Sequence, residues 1–272
     1  TYLPIFAEDG TPLKWVNFDN IDVLTSTVNL WSNSYHYVGN VYVDVNFSKK
    51  LKFRSSFGVD YNNYNESEYW DTRTILGSAG GRATESVTQS STAINEQTLN
   101  YNTTLGNHSI GLLVGNTIQG VELKNVSATG TNFPNNAYTQ ISSAATQTAS
   151  QFKSNSGLLS FFSRADYNYA RKYYIEATIR ADGSSKFGEN NKWGYFPAVG
   201  AAWRIKEESF LKDVSAISNL KLRASYGLTG NQSGIADFAS QGLWNGGYGY
   251  SDRVGSSEGP GTAPLQIANP NL

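Results

Sequence analysis

Between residues 157 and 230 apolar and polar side chains alternate almost without a break, and nothing else in the chain narrows its fold as much. In Gly157–Tyr169 one parity carries Leu159, Phe161, Ala165, Tyr167 and Tyr169, and the other carries Ser160, Arg164, Asp166 and Asn168. Lys172–Asp182 repeats the pattern, with Tyr173, Ile175, Ala177, Ile179 and Ala181 against Lys172, Glu176, Thr178, Arg180 and Asp182. Side chains of a strand point to opposite faces with period two, so each segment has one apolar and one charged face. Water-soluble sandwiches alternate too, but seldom with a polar parity so rich in paired charges. A run of roughly 9–11 residues is what a tilted strand needs to cross a bilayer.

The links separate those options better than the strands do. Tyr37–Ser48 joins Leu51–Asn62 through Lys49-Lys50, Ala93–Leu105 joins Ser109–Gly120 through Gly106–His108, and the two segments above meet at Ala170-Arg171. These read as tight hairpins. Between them lie long polar stretches, Asn63–Thr92, Val121–Ser156 and Gly183–Lys192, with Asn231–Leu272 trailing after Leu220–Gly230. Alternating short and long links are the layout of an outer-membrane barrel, with short periplasmic turns and long extracellular loops. On this reading Thr1–His36 and the long stretches lie outside. Lys206–Asn219 is long for a periplasmic turn, and Glu207-Glu208-Ser209-Phe210-Leu211 reads as one helical turn capping the inner rim. The outward face should carry Val41, Val43, Ile175, Ile179, Val199 and Leu222, with Arg180, Arg204 and Arg223 opposite.

Composition agrees. No apolar run approaches the roughly 18 residues of a membrane helix. A mean hydropathy of −0.41 suits a soluble protein, but it equally suits a barrel in which every second residue faces a polar lumen. The 21 Lys and Arg balance 22 Asp and Glu, so there is no basic surplus of the kind that recruits nucleic acid. With no Cys, disulfides and thiol chemistry are excluded. The chain starts at Thr1 and has no Met, so it reads as an internal piece, supplying about eight spanning strands and ending on the turn signal Asn269-Pro270.

Three runs carry a family resemblance. Ile179-Arg180-Ala181-Asp182-Gly183-Ser184-Ser185-Lys186-Phe187-Gly188 is followed by Asn190-Asn191-Lys192-Trp193-Gly194-Tyr195-Phe196-Pro197 and Ala201-Ala202-Trp203-Arg204-Ile205. The second run is Ile217–Gly227 with Thr229-Gly230-Asn231-Gln232, and the third is Ala268-Asn269-Pro270-Asn271-Leu272. Together they resemble the SusC/RagA family of TonB-dependent outer-membrane transporters of Bacteroidetes, most closely over residues 157–232 and at the end. The resemblance implies an all-β fold in which residues 1–272 are part of one antiparallel transmembrane barrel of roughly 22 strands around a plug. The plug and final strands lie outside this sequence. It further implies nutrient uptake at the cell outer membrane: import of an oligosaccharide or peptide with a SusD-like surface lipoprotein, driven by TonB through parts absent here. Membrane lipid would surround the wall, no nucleic acid is involved, and no cofactor is implied. The alternative from another class is a soluble or surface-attached carbohydrate-binding module or adhesin, in which a second sheet would bury the apolar parity.

The residues themselves give three sets of candidates. Arg164, Asp166, Glu176, Arg180, Arg204 and Arg223, with Lys52, Arg54, Asp60 and Lys221, lie on the polar parity and would face the lumen. They either contact substrate and plug or, more plainly, form cross-strand ion pairs within the wall. Tyr64, Tyr69 and Trp70 (beside Tyr61), and Trp244, Tyr248 and Tyr250 in Gly-rich sequence, offer aromatic faces for ligand binding, with loop packing as the plainer reading. Asp182–Pro197 reads as a turn whose Asx side chains hold the backbone, since only Asp182 and Glu189 are acidic there and a calcium loop needs more oxygens. Trp193 and Tyr195 should mark the outer headgroup level, and Pro197 a strand end or bulge.

Enzyme signals are poor. Ser150-Gln151-Phe152-Lys153 matches Ser-x-x-Lys but lacks its partner motifs and lies in a Ser/Thr/Gln/Ala-rich stretch, Thr139–Ser150, that need not pack. His36 and His108 appear isolated, and no metal site is expected. Asn102-Thr103-Thr104 matches the glycosylation pattern only because the chain is rich in Asn and Thr.

Overall fold

The computed structural model describes residues 6–11, 18–250 and 259–272. A short helix, α1 (Ile21–Thr27), is capped by Asn20, whose side chain accepts a hydrogen bond from the Asp22 amide. Strands follow in order: β1 (Asn29–Asn46), β2 (Leu51–Trp70), β3 (Arg82–Leu105), β4 (His108–Thr131), β5 (Thr146–Tyr169), β6 (Tyr173–Ser184), β7 (Trp193–Arg204), β8 (Lys221–Gly227), β9 (Leu243–Tyr250) and β10 (Gly259–Gln266). Strands β1 to β8 form one sheet in sequence order, and β9 and β10 form a separate two-stranded sheet. The pairings β5–β6, β6–β7 and β7–β8 are antiparallel.

Two compact units share the chain. One comprises Thr1–Val38, Asp60–Thr92 and Glu122–Ser154, and the other comprises Gly39–Val59, Ala93–Val121 and Asn155–Leu272. The first is organised by the links 71–81 and 132–145. Tyr69, Ala83, Phe133 and Ala144 form its buried cluster, with Ile141 packed against them. Tyr69 meets Phe133 edge to face at 5.7 Å, a favoured geometry for aromatic pairs. Asn136 ties the links together, accepting from the Tyr69 hydroxyl and the Thr72 amide, both at 3.2 Å.

The second unit shows the period-two pattern most clearly. Exposure alternates residue by residue through β6 up to Arg180 and along the whole of β7. Ile175, Ile179, Val199 and Leu222 are 50–61% exposed, and Arg180 and Arg204 lie on the alternate, half-buried parity. Val41 and Val43 are exposed on β1, while Asp44 of the other parity pairs with Arg54 at 2.6 Å. The expected faces are therefore present. Pro197 sits within β7 opposite Ile179, inside the strand rather than at its end. The β5–β6 hairpin is closed by a tight turn in which the Lys172 amide donates to the Tyr169 carbonyl at 2.9 Å and Ala170 and Arg171 both lie in the left-handed region, φ 51° and 58°, the signs a type I′ turn requires.

Two rows of aromatics bound the apolar parity. At one end Phe161 stacks with Trp193 at 6.2 Å. Those rings meet across β6 because Gly183 opposes Trp193: a Cβ on Gly183 would stand 2.9 Å from the Trp193 ring. At the other end His108, Tyr169, Tyr173 and Trp203 form a continuous ladder with centroids 5.0–6.4 Å apart. From Trp193 to Trp203 a tilted strand rises about 25 Å, the height of an outer-membrane apolar band.

The long links are shorter than expected. Asn63–Thr92 and Val121–Ser156 are mostly strand, because β2 continues to Trp70, β3 begins at Arg82, β4 continues to Thr131 and β5 begins at Thr146. These polar stretches are rich in Ser, Thr and Asn, whose side chains pair across strands, as in Asn125 to Ser86 and Thr88 at 3.0 and 2.8 Å. At 24 residues each, β3, β4 and β5 are about 80 Å long, more than twice a membrane crossing. Likewise His36 belongs to β1, Thr139–Ser150 contains a 3-10 turn (Ile141–Ser143) and the start of β5, and Asn231–Leu272 contains the β9–β10 hairpin.

A charge at mid-height on a lipid-facing strand costs about 2–4 kcal/mol, and the polar face tolerates it. Val199→Arg should therefore depress the amount of folded protein in outer-membrane fractions far more than Ala198→Arg. Equal losses, or the reverse order, would show that the faces are misassigned.

Candidate functional site

Lys50 and residues of β3 to β8, including the charged parity of β5, β6 and β8, line a groove of about 850 Å³. Arg164 stands in its wall and bonds both Asp166 and Glu176 at 2.9 Å. Lys221 lies 4.5 Å over the Tyr174 ring, a cation–π contact. Lys50 and Arg223 also line the groove, and neither makes an ion pair among the described residues. Two carboxylates thus face four cations, and the groove is electropositive.

The other candidates of this parity are held in pairs. Arg180 bonds Asp182 at 2.6 Å and Ser160 at 2.8 Å, and Ser160 is fully buried. Arg204 bonds Glu207 at 2.9 Å. Asp44 takes both Lys52 and Arg54, and Asp60 takes His36 at 2.8 Å. Of these pairs, Asp44 with Lys52 and Arg54, and Asp60 with His36, cross strands as the plainer expectation has it, whereas Arg180–Asp182 lie two apart on β6 and Arg204–Glu207 lie three apart at the end of β7. His36 is not isolated, and neither is His108, whose Nδ1 lies 2.7 Å from the Tyr167 hydroxyl.

The Asp182–Pro197 turn is a clamp. Ser184 donates to Gln232 at 2.7 Å, and Lys186 bonds the Ile235 carbonyl and Asp237, both at 3.1 Å. On the far side the Asn190 amide donates to the Pro270 carbonyl at 3.1 Å, and its side chain meets Asn271 at 2.7 Å. A Cβ on Gly188 would lie 2.2 Å from the Pro270 carbonyl oxygen, so no larger residue allows this approach. The first of the three sequence runs that carry the family resemblance thus touches both of the others. Asp182 itself is held by Arg180. Among the described residues no group of three or more His, Cys, Asp or Glu could hold a metal ion.

The aromatic candidates are dispersed. Tyr69 is 6% exposed and serves the buried cluster described above. Tyr64 and Trp70 are half-buried on β2, and the Trp70 indole donates to Glu68 at 3.3 Å. Trp244 and Tyr248 are 68% and 50% exposed on β9. A bulge at Gly247 (φ 87°) makes Trp244 oppose Pro264 while Tyr248 opposes Gly261, which puts the two rings on opposite faces of the hairpin. The Tyr250 side chain lies outside the described residues. Ser150 and Lys153 fall three apart on β5, a strand and not a loop, so hydroxyl and amine point to opposite faces. Lys153 is instead paired with Glu122 at 2.6 Å.

A latch beside the second aromatic row went unread in the sequence. Glu208 accepts from Tyr173 at 2.5 Å, Trp203 at 3.0 Å and Lys172 at 3.1 Å. The helical turn expected over Glu207–Leu211 is displaced: a 3-10 turn spans Ile205–Glu207, and Glu208–Lys212 form hydrogen-bonded turns in which the Leu211 and Lys212 amides donate to the Glu208 carbonyl. Lys206 closes the following loop, donating to the carbonyls of Leu211, Lys212 and Val214 at 2.6–3.1 Å. The hydroxyl, indole and ammonium donors around Glu208 hold its carboxyl down at about 2. In the link 71–81, the Arg73 guanidinium beside Asp71 likewise holds that carboxyl below the usual range.

Because the Glu208 carboxyl is depressed in the folded protein, its contribution is complete above the ordinary glutamate range, about 4.3, and is lost as pH falls through about 2. Pepsin cleavage at Phe210–Leu211 in detergent tests this. The rate for Glu208→Gln divided by the rate for the unchanged protein should be large at pH 4 and approach one near pH 2. A ratio of one at both pH values would remove the latch.

The chain matches the family described as TonB dependent receptor-like, beta-barrel, over residues 4–272. It is 34% identical over 240 residues to TonB-dependent receptor P3 of Formosa agariphila, covering 87% of this chain and 24% of that protein. It is 33% identical over 216 residues to TonB-dependent receptor SusC of Bacteroides thetaiotaomicron, covering 76% of this chain and 21% of that protein. The chain therefore spans about a quarter of the length of the curated relatives it matches. A structure of the RagAB peptide transporter superposes with a TM-score of 0.82 at 23% identity, over 97% of this chain and 30% of that one. At that identity the likeness shows the fold.

Proposed function

The chain belongs to the TonB-dependent receptor β-barrel family, and from that premise we propose that it is a wall segment of an outer-membrane transporter that imports oligosaccharides or peptides. The observation that carries this reading is the two-faced sheet. One parity is apolar, exposed and bounded by two aromatic rows, and the other is charged and internally paired. A bilayer requires the first, and a water-filled or plugged lumen the second. The soluble-module alternative needs a second sheet over the apolar parity, but Ile175, Ile179 and Val199 are at least half exposed.

TonB supplies the driving force, through a plug and contact segment that this sequence does not contain. A SusD-like surface lipoprotein delivers cargo at the outer side. Both partners rest on the relation to SusC and RagA-type proteins, and the cargo class follows from the same relation. The exposed rings of Trp244 and Tyr248 are the best placed to touch cargo, since sugar rings and peptide side chains stack on such faces. Tyr64 and Trp70 contribute packing more than contact.

Deleting the gene should abolish uptake of one class within a panel of labelled oligosaccharides and peptides. Trp244→Ala in the intact protein should lower uptake of that cargo roughly 3- to 10-fold at unchanged outer-membrane abundance, the effect of one lost stacking contact. Unchanged uptake of every panel member in the deletion strain would overturn the transport reading. Normal uptake by Trp244→Ala would overturn only the role given to that ring.

A further inference from the structure

The loop between β7 and β8 carries more structure than a connection needs, and it presents an apolar side chain to its surroundings. Phe210 is 67% exposed and Val214 is 39% exposed. They lie in a segment whose backbone is fixed twice, by Lys206 donating to three carbonyls and by Glu208 bonded to β6 and β7. An exposed phenylalanine on a mobile tip is unremarkable, but on a loop secured at both positions its placement is determined by the fold.

The direction of that placement comes from Glu208. Its partners Tyr173 and Trp203 belong to the apolar parity, since Tyr173 opposes Trp203 and shares a face with Ile175 and Ile179. They are members of the inner aromatic ladder. Rings in such a row put the apolar body toward hydrocarbon and the polar tip toward water. Glu208 holds those tips, so the loop is secured at the level where the outward face meets the inner headgroup region. Phe210, two residues on from Glu208, is exposed on this tethered loop, and Lys212 beside it is exposed as well. An aromatic with a neighbouring lysine is the combination that seats a peripheral segment in a phospholipid interface.

We propose that the loop 205–219 is a membrane-interface anchor, with Phe210 inserted into the inner leaflet beside the aromatic ladder and Glu208 as the positioning residue that holds it there. The occupant of the exposed Phe210 surface is phospholipid, and the basis is the tether of the loop, through Glu208, to Tyr173 and Trp203 of the apolar outward face. The inference rests on the outer-membrane reading above. It adds that the periplasmic rim fixes the depth of the wall through a loop as well as through strands.

Site-directed spin labels separate the two. The chain has no Cys, so single Cys substitutions at Phe210, at Val199 as a mid-membrane reference and at Ser78 as an aqueous reference can be labelled in the intact protein reconstituted in phospholipid vesicles. Power saturation is then compared with oxygen, which concentrates in lipid, and with a water-soluble nickel chelate. The label at position 210 should be markedly more accessible to oxygen than to nickel, at a depth between the two references. Adding Glu208→Gln should move it toward the aqueous value. A label at 210 as open to nickel as that at 78, with 199 still in lipid, would overturn the anchor and leave the barrel intact. Low accessibility of 210 to both reagents would assign the surface to a protein partner and also overturn it. Nickel access at 199 would overturn the outer-membrane reading itself.

Discussion

Everything in this structure depends on the requirement that no backbone amide or carbonyl be left unpaired in hydrocarbon. A strand cannot satisfy its own peptide groups, so in a bilayer it persists only between two neighbours. The sequential order of β1 to β8 gives every strand inside the sheet a neighbour on both sides, and the strict exposure alternation of β7 follows from it. Once the backbone is committed to the ladder, side chains can only be sorted by parity. Apolar groups go to one side, and ion pairs such as Arg164 with Asp166 and Glu176 go to the other.

The same requirement explains what happens at the two ends. Where strands leave the apolar band, backbone pairing must be handed to turns and loops, and those positions carry the most specific contacts in the chain. At one end Gly188 admits the Asn269-Pro270-Asn271 segment against its backbone, and Ser184 and Lys186 hold the stretch after β8. At the other end Glu208 and Lys206 hold the β7–β8 loop. The family's recognisable motifs are therefore largely rim structure. A clamp with a glycine at the point of closest approach admits few alternative residues.

How much of this was legible in the sequence depends on the physics of each part. The strands β5 to β8 were, because sustained alternation of apolar and charged residues specifies a two-faced strand, and the short links between them favoured a barrel over a sandwich. The tight hairpin at Ala170-Arg171 was also legible. The outer halves of β2 to β5 were not, because Ser, Thr, Asn and Gln on both parities erase the period-two signal, and such polar runs look the same as a loop until their cross-strand partners are known. The β9–β10 hairpin was hidden by its glycines and by the bulge at Gly247, which breaks the parity between Trp244 and Tyr248. Among the candidate site residues, the charges follow the polar parity, but which pairs cross strands, as Arg164 with Glu176 does, and which stay local, as Arg180 with Asp182 and Arg204 with Glu207 do, is not carried by parity. Tyr69 shows the limit for aromatics: nothing local distinguishes a buried Tyr that meets Phe133 from an exposed one that waits for a ligand.

The central claim is that this sheet spans a membrane, with the links 71–81 and 132–145 outside the cell and the turns at Lys50 and Asn107 inside. Single thiols at Ser78 and Ser142, and separately at Lys50 and Asn107, can be introduced into the intact protein and treated on whole cells with a membrane-impermeant maleimide. Labelling of Ser78→Cys and Ser142→Cys on intact cells, with Lys50→Cys and Asn107→Cys labelled only after the outer membrane is opened, is the predicted result. The opposite pattern, or equal labelling of all four on intact cells, would contradict it.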